Sequence, residues 1–192
     1  MSTAPQQPLS AAQYLEIERS SVDQKHEFYA GEMFAMAGAS KTHVRIATTL
    51  TGMLYASLKG TPCEPMAADM RVLVDRTGLY TYPDIVVVCG EPEFEDDQFD
   101  TLLNPKLVVE VLSDSTAAYD RGKKFDHYRQ VASLEEYVLV SQDEPHIESF
   151  VRQPGDRWLL GEARGIDASM ALESLGVTLP LTEVYARIDF SA

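Results

Sequence analysis

The spacing of apolar residues along the chain predicts helices in some segments and strands in others. Ser10 and Ser40 are typical helix caps, so we predict a short helix after Ser10 and a longer one over 41–58. A third helix is predicted over 116–131. Segments rich in β-branched and aromatic residues predict strands. They lie at 64–75, 79–89, 106–113 and 136–142.

Turn residues between shorter apolar segments predict two hairpins. Ala30-Gly31 separates two strands within 25–38, and Pro154-Gly155 separates strands at 146–153 and 157–164. The runs IVVV and LVVEVL are apolar without alternation, which is typical of central strands covered on both faces. The chain is therefore expected to be an α/β (α+β) protein, with a central mixed β-sheet flanked by helices and extra strands at both ends.

Length and composition indicate one domain over residues 1–192, with residues 1–9 expected to be flexible. No apolar run approaches the roughly 20 residues that a membrane helix needs, and the first ten residues lack the basic and apolar parts of a secretory signal. The two cysteines, Cys63 and Cys89, lie 26 residues apart, and Cys89 ends an apolar run, where a buried free thiol is the simplest expectation. These features favour a reduced, cytoplasmic protein.

The net charge of −14 disfavours a general polyanion-binding surface but leaves room for a local basic groove or a metal-centred site. The segment 91–100, EPEFEDDQFD, contains six of the thirty acidic residues. We interpret it as a solvated loop, with a functional role as the alternative.

Glu110 is the most unusual charged residue, because it lies inside the apolar strand LVVEVL. An unpaired buried charge is very costly, so Glu110 is expected to have a partner: a metal ion, a lysine or a buried arginine. Asp84 begins the preceding strand in YPDIVVV. Pro-Asp can serve a turn alone. If these strands are neighbours, however, the two carboxylates converge and can supply the oxygen ligands that Mg²⁺ (or Mn²⁺) prefers.

A helical wheel identifies a lysine that can reach Glu110. At 100° per residue, Lys124 falls between Ala117 and Val131 in the apolar arc of the helix over 116–131, whereas Lys123 falls opposite it. Lys124 is therefore predicted to point into the core near Glu110. The alternative is that its ammonium group extends along the apolar face into solvent.

Three further residues are weaker candidates for the same site. His43 falls among Ala47, Leu50 and Leu54 on the wheel of the helix over 41–58, so it is either a site residue or a satisfied core histidine. Asp69 lies where the pattern changes to alternation and has a turn role as its alternative. Glu32 follows Gly31 and has an exposed hairpin position as its alternative.

Pro83-Asp84, Glu110 and a lysine displaced to the helix resemble the PD-(D/E)XK nuclease signature, in which Leu112 occupies the usual lysine position. More widely, residues 10–190 resemble the Uma-type, restriction-endonuclease-like proteins. The segments that match are KHEFYAGEMFAMAGASKTH, DMRVLV, YPDIVVVCGEPEFED, NPKLVVEVLSDST, YDRGKKFDHYR, EYVLVSQD and SLGVTLPLTEVY.

The resemblance implies a restriction-endonuclease-like core and a homodimer. It also implies Asp84 and Glu110 as metal-binding carboxylates and Lys124 as the catalytic lysine, with Glu32, His43 and Asp69 lining the same cavity. The leading hypothesis is therefore a Mg²⁺-dependent endonuclease acting on DNA, with no membrane partner. A nuclease fold that serves as a non-catalytic binding or assembly module is the alternative, and a metal-carboxylate hydrolase for a different substrate is the third hypothesis.

Overall fold

The computed structural model describes residues 8–190, and its largest element is a six-stranded mixed sheet. Its strand order is β11-β10-β9-β8-β6-β3. Only β8 and β9 are parallel; the other neighbours are antiparallel. The strands are β3 (Cys63–Ala67), β6 (Ile85–Cys89), β8 (Leu107–Val111), β9 (Glu136–Val140), β10 (His146–Gln153) and β11 (Arg157–Arg164). The runs IVVV and LVVEV thus form adjacent central strands, buried on both faces, as predicted.

A second sheet of five strands has the order β2-β1-β5-β4-β7. It consists of β1 (His26–Tyr29), β2 (Glu32–Ala35), β4 (Arg71–Val74), β5 (Leu79–Thr81) and β7 (Thr101–Leu102). The predicted hairpin at Ala30-Gly31 is confirmed: both residues adopt positive φ angles, which matches the tight turn between β1 and β2. A small third sheet pairs β12 (Ser169–Leu172) with β13 (Val177–Pro180).

The two longest predicted strands were too long, because each of these segments contributes one strand to each of the two large sheets. The segment 64–75 divides into β3 and β4 because Ala68 adopts φ 49° and ends the extended conformation. The segment 79–89 divides into β5 and β6 around Pro83, which lacks the N–H that a central strand needs. The two breaks lie side by side, since the Ala68 N–H donates to the Asp84 carbonyl at 2.8 Å. Asp84 therefore lies where the chain crosses between the sheets.

The first two helices begin at the predicted caps. In α1 (Ala11–Ser20), Ser10 and Gln13 form a reciprocal capping box, and in α2 (Lys41–Leu58) the Ser40 hydroxyl accepts from the His43 N–H. Helix α2 buries Ile46, Leu50 and other apolar residues against one face of the six-stranded sheet. A short helix α5 (Leu181–Val184) follows β13 and packs in the same core.

The helix predicted over 116–131 is present in a modified form. It consists of α3 (Ala117–Tyr119), a π-helical turn (Asp120–Lys124) and α4 (Phe125–Tyr128). Gly122, a poor helix former, lies inside the π-helical turn. This segment covers the opposite face of the six-stranded sheet, where Phe125 and Tyr128 join a core that includes Val108 and Leu112. The predicted fold class, a central mixed sheet flanked by helices, is confirmed.

Cys63 and Cys89 form a disulfide across β3 and β6, with Cα atoms 3.9 Å apart. The expectation of a buried free thiol at Cys89 was wrong, because antiparallel pairing brings two residues 26 positions apart directly opposite each other. The acidic segment is also less fully solvated than predicted, since Asp96 and Asp100 form ion pairs with Arg19.

No helix in residues 8–190 is long and apolar enough to cross a membrane. The sequence predicts that residues 1–9 are flexible and that the first ten residues are not a secretory signal. Residues 1–7 lie outside the described residues, so both statements stay predictions.

Candidate active site

Lys124 is the centre of a buried cluster of charged side chains. Its Nζ lies 2.8 Å from Oε1 of Glu110, 3.3 Å from Oε1 of Glu27 and 3.7 Å from Oδ1 of Asp120. The side chains of Lys124 and Glu110 are only 7% and 6% exposed. One buried cation is thus surrounded by three carboxylates, which makes a strongly charged region inside an otherwise apolar domain.

Each carboxylate comes from a different element. Glu110 lies near the end of β8 in the six-stranded sheet, and Glu27 lies in β1 of the five-stranded sheet. Asp120 begins the π-helical turn that Lys124 ends, so this turn directs both side chains toward the sheets. The cluster therefore forms only when both sheets and the helical segment are assembled.

Neutral hydroxyl groups hold the carboxylates in place. The Tyr128 hydroxyl, fully buried in α4, donates to Oε1 of Glu110 at 2.9 Å. The buried Thr81 hydroxyl donates to Oε1 of Glu27. Because these donors lie on rigid elements, the carboxylate oxygens have little freedom to turn toward bulk water.

Asp84 and His43 form a second pair beside this cluster. Nε2 of His43 lies 2.8 Å from Oδ1 of Asp84, and the Val111 N–H donates to Oδ2 of Asp84 at 2.7 Å. The β6–β8 register pairs Ile85 with Val109, and its continuation by one residue places Asp84 opposite Glu110. Asp84 itself lies just before β6 begins, so it stands at the end of this sheet, where His43 at the start of α2 reaches it.

The electrostatic coupling of these groups appears in their pKa values. Burial raises the pKa of Glu110 to about 8, with Lys124 opposing the shift and the Asp120 and Asp84 carboxylates adding to it. Burial also raises the pKa of Asp120. For Lys124, burial lowers the pKa, but the attraction of Glu110, Glu27 and Asp120 outweighs it and the pKa rises well above its ordinary value. The lysine therefore remains charged at neutral pH.

A family profile described as "Uma2: Putative restriction endonuclease" matches residues 11–182. The chain belongs to the Uma2 family. Two uncharacterized proteins of Synechocystis sp. are similar to it: sll1609 is 36% identical over 162 residues, covering 84% of this chain and 91% of that protein. The second, slr1290, is 35% identical over 188 residues, and the match covers 98% of this chain and 97% of that protein.

A solved structure has the same overall fold. It is described as a "putative nuclease belonging to DUF820" from Anabaena variabilis, and it superposes with a TM-score of 0.76 at 15% sequence identity. The match covers 93% of this chain and 98% of that chain. The fold of this Uma2 protein is therefore nuclease-like over nearly its whole length.

The structure separates the sequence-predicted residues into two groups. It brings Asp84 together with His43, and Glu110 together with Lys124, in one region of the molecule. Glu32 is instead exposed at the start of β2. Asp69 is 82% exposed and pairs with Lys25 at the surface. The proposed roles of all these residues stay predictions.

Sequence reasoning missed three members of the buried cluster around Lys124. Asp120 is four residues before Lys124, and this i, i+4 spacing was a usable signal that the two side chains share a helix face. Tyr128 was assigned only to the apolar arc, although a buried tyrosine hydroxyl usually needs a partner. Glu27 carries no comparable local signal, because its contact with Lys124 depends on how the two sheets pack.

The donor set suits a hard divalent cation. Three acidic side chains, with Asp84 beside them, surround the single ammonium group of Lys124, so the region offers more carboxyl oxygen atoms than the lysine uses. In residues 8–190, no three His, Cys, Asp or Glu side chains converge into a metal-binding group. Mg²⁺ commonly binds through only one or two carboxylates and keeps several waters, so Asp84 and Glu110 fit that simpler arrangement.

Proposed function

We propose that this Uma2 protein hydrolyses phosphodiester bonds in DNA and depends on Mg²⁺ (or Mn²⁺). The observation that carries the proposal is the buried Lys124 among an excess of carboxylates, in a nuclease-like fold. A merely structural ion pair needs one acid for one base, whereas this cluster has three acids around one base. The surplus of acidic groups is explained if a divalent cation, which displaces their protons on binding, is the missing partner.

In this proposal Asp84 and Glu110 hold the metal ion. When bound there, such an ion would supply polarisation of the phosphate and a lowered pKa for a water molecule at the site. Lys124 keeps its proton, because its pKa lies well above the ordinary value. It therefore acts as a fixed positive charge that orients water and stabilises negative charge on the phosphate, rather than as a base. His43, positioned by Asp84, carries a proton to or from the reacting oxygens.

The proposed substrate is cytoplasmic DNA. At the net charge of −14, the acidic surface repels phosphates, so binding relies on the metal site and nearby cations rather than on a broad basic face. Reducing thiols in that compartment would favour opening of the Cys63–Cys89 disulfide, so the enzyme is assayed in both redox states.

Cleavage of supercoiled plasmid tests the proposal. The wild-type protein should nick or linearise plasmid in MgCl₂ or MnCl₂ and should be inactive in EDTA. Asp84→Asn keeps the shape of the side chain but removes the charge that binds the metal, and it should reduce the rate at least about a hundredfold. Equal rates for Asp84→Asn and wild type would contradict the assignment.

The alternative function is a binding or assembly module with a nuclease fold. The net charge of −14 and the saturation of the Lys124 ammonium by carboxylates favour this alternative. Calorimetric titration with MgCl₂ distinguishes the two. The enzyme proposal predicts binding that Asp84→Asn weakens, whereas the module predicts no binding or binding that this substitution leaves unchanged.

A further inference from the structure

One face of the β1–β2 hairpin carries a member of the Lys124 cluster together with two exposed aromatic side chains. The strand register pairs Glu27 with Phe34, and Tyr29 lies two residues after Glu27 in β1. Residues that are paired across antiparallel strands lie on the same face, and so do residues two apart in one strand. Phe34 and Tyr29 therefore share the face from which Glu27 reaches Lys124.

Glu27 is the most exposed member of the cluster around Lys124. Its side chain is 15% exposed, compared with 7% for Lys124 and 6% for Glu110. Phe34, its cross-strand neighbour, is 48% exposed and lies on β2, the edge strand of the five-stranded sheet. The side of the cluster next to Glu27 is thus an entrance from solvent, and the Phe34 ring lies at its rim.

Tyr29 is held in place at the same rim. Its ring packs edge-on against His127, with ring centroids 4.7 Å apart, and Nδ1 of His127 lies 2.9 Å from the Thr77 hydroxyl oxygen. The tyrosine nevertheless remains 39% exposed. A single exposed aromatic residue is ordinary on a protein surface. Two such rings on the face that carries a site acid resemble the platforms on which nucleobases stack.

Charge decides which occupant suits these rings. With a net charge of −14 and three acidic side chains around Lys124, the protein offers phosphate groups little electrostatic attraction. Stacking provides affinity that does not depend on charge, and it accepts every base because each base has a π-face. A base inside a duplex is already stacked and paired, so placing it on a side chain first requires unstacking. The rings therefore suit an unpaired strand.

We propose that Phe34 and Tyr29 stack on unpaired bases beside the scissile phosphate, which makes single-stranded DNA the substrate class of this site. The proposal rests on the phosphodiesterase function proposed above for the position of the scissile phosphate. The stacking itself requires no bond cleavage, so it can be measured separately.

Tryptophan fluorescence tests the stacking directly. Phe34→Trp places an indole at the rim, and a base that stacks on it should quench its fluorescence. The chain has one native tryptophan, Trp158, so wild-type protein titrated in parallel gives the background. A mixed-sequence single-stranded DNA oligonucleotide should quench Phe34→Trp, in EDTA or in CaCl₂, and should bind at least about tenfold more tightly than the same sequence as a duplex. Tighter binding of the matching RNA strand would overturn the assignment to DNA.

Removing the ring tests its contribution to affinity. By anisotropy of a fluorescein-labelled strand, Phe34→Ala should bind single-stranded DNA about tenfold more weakly than wild type, whereas Phe34→Trp should keep its affinity. Tyr55→Ala is the matched control and should bind as wild type does, because Tyr55 is 69% exposed near the far end of α2 from His43. The proposal is overturned if Phe34→Ala binds as tightly as wild type, or if the duplex binds as tightly as the single strand.

Plasmid cleavage by the same wild-type preparation in MgCl₂ separates this inference from the proposed function. Cleavage without quenching of Phe34→Trp in either buffer would overturn the stacking and leave the nuclease proposal standing. Quenching by single-stranded DNA without cleavage would support the stacking and contradict the nuclease proposal.

Discussion

Replacing Glu110 with glutamine should change how stability depends on pH. In the wild type, burial raises the pKa of Glu110 from 4.5 to about 8. Between these values the unfolded chain has lost the proton while the folded chain keeps it, so the folded state binds more protons. The free energy of unfolding must then fall as the pH rises. At about 1.4 kcal/mol per pH unit, the total reaches an upper limit of about 5 kcal/mol.

Glutamine has the shape of glutamate, can accept hydrogen bonds from Lys124 and Tyr128, and does not titrate. Urea unfolding of both proteins in EDTA, at intervals from pH 5 to 9, isolates the carboxyl of Glu110. The stability of wild type relative to Glu110→Gln should decline from pH 5 to 8 and level off above it. Glu32→Gln, at an exposed position in β2, is the control and should follow the wild-type profile. A difference between wild type and Glu110→Gln that is constant or increases with pH would refute the reasoning.

Three further substitutions test other parts of the structure. Glu27→Gln removes one of the carboxylates around Lys124 and should slow metal-dependent plasmid cleavage while the far-UV spectrum is unchanged; an unchanged rate would remove Glu27 from the site. Cys63→Ser opens a disulfide spanning 26 residues and should lower stability by about 3 kcal/mol in oxidising buffer, a difference that dithiothreitol abolishes in thermal melts. Arg71→Met removes a guanidinium that is 3% exposed and binds Asp100. It should cost about 2 kcal/mol by urea unfolding, because the buried Thr101 and Tyr82 hydroxyls lose the guanidinium that donates to them. A loss below about 0.5 kcal/mol would assign these contacts no structural weight.

The elements of this fold follow largely from local patterns. Helix α2 matches its predicted bounds because Ser40 caps a clear apolar periodicity. The two long predicted strands were each wrong in being continuous. The apolar pattern does not show where a chain leaves one sheet and enters another. Ala68 and Pro83 mark these breaks, but their meaning depends on packing that is distant in sequence.

The candidate site was predictable to the extent that its residues are charged side chains at apolar positions of their own helix or strand. Glu110 in an apolar strand and Lys124 in an apolar helical arc each lacked a partner, and the structure places them 2.8 Å apart. The wheel gave the correct direction for Lys124 although the helix contains a π turn, because Lys124 directly precedes the regular turn at Phe125. Glu27 was missed because it belongs to the other sheet. The structure places Asp69 at the surface beside Lys25, a position that the change of pattern does not reveal.

The most direct test of the account compares two adjacent lysines in the plasmid assay. Lys124 is buried among the carboxylates, whereas Lys123 is exposed on the other side of the π-helical turn. Lys124→Met and Lys123→Met remove the same charge from neighbouring positions, so their initial cleavage rates in MgCl₂ measure the site rather than the net charge. The account predicts that Lys124→Met loses at least about a hundredfold in rate while Lys123→Met stays within about twofold of wild type. Equal rates for the two variants would contradict it.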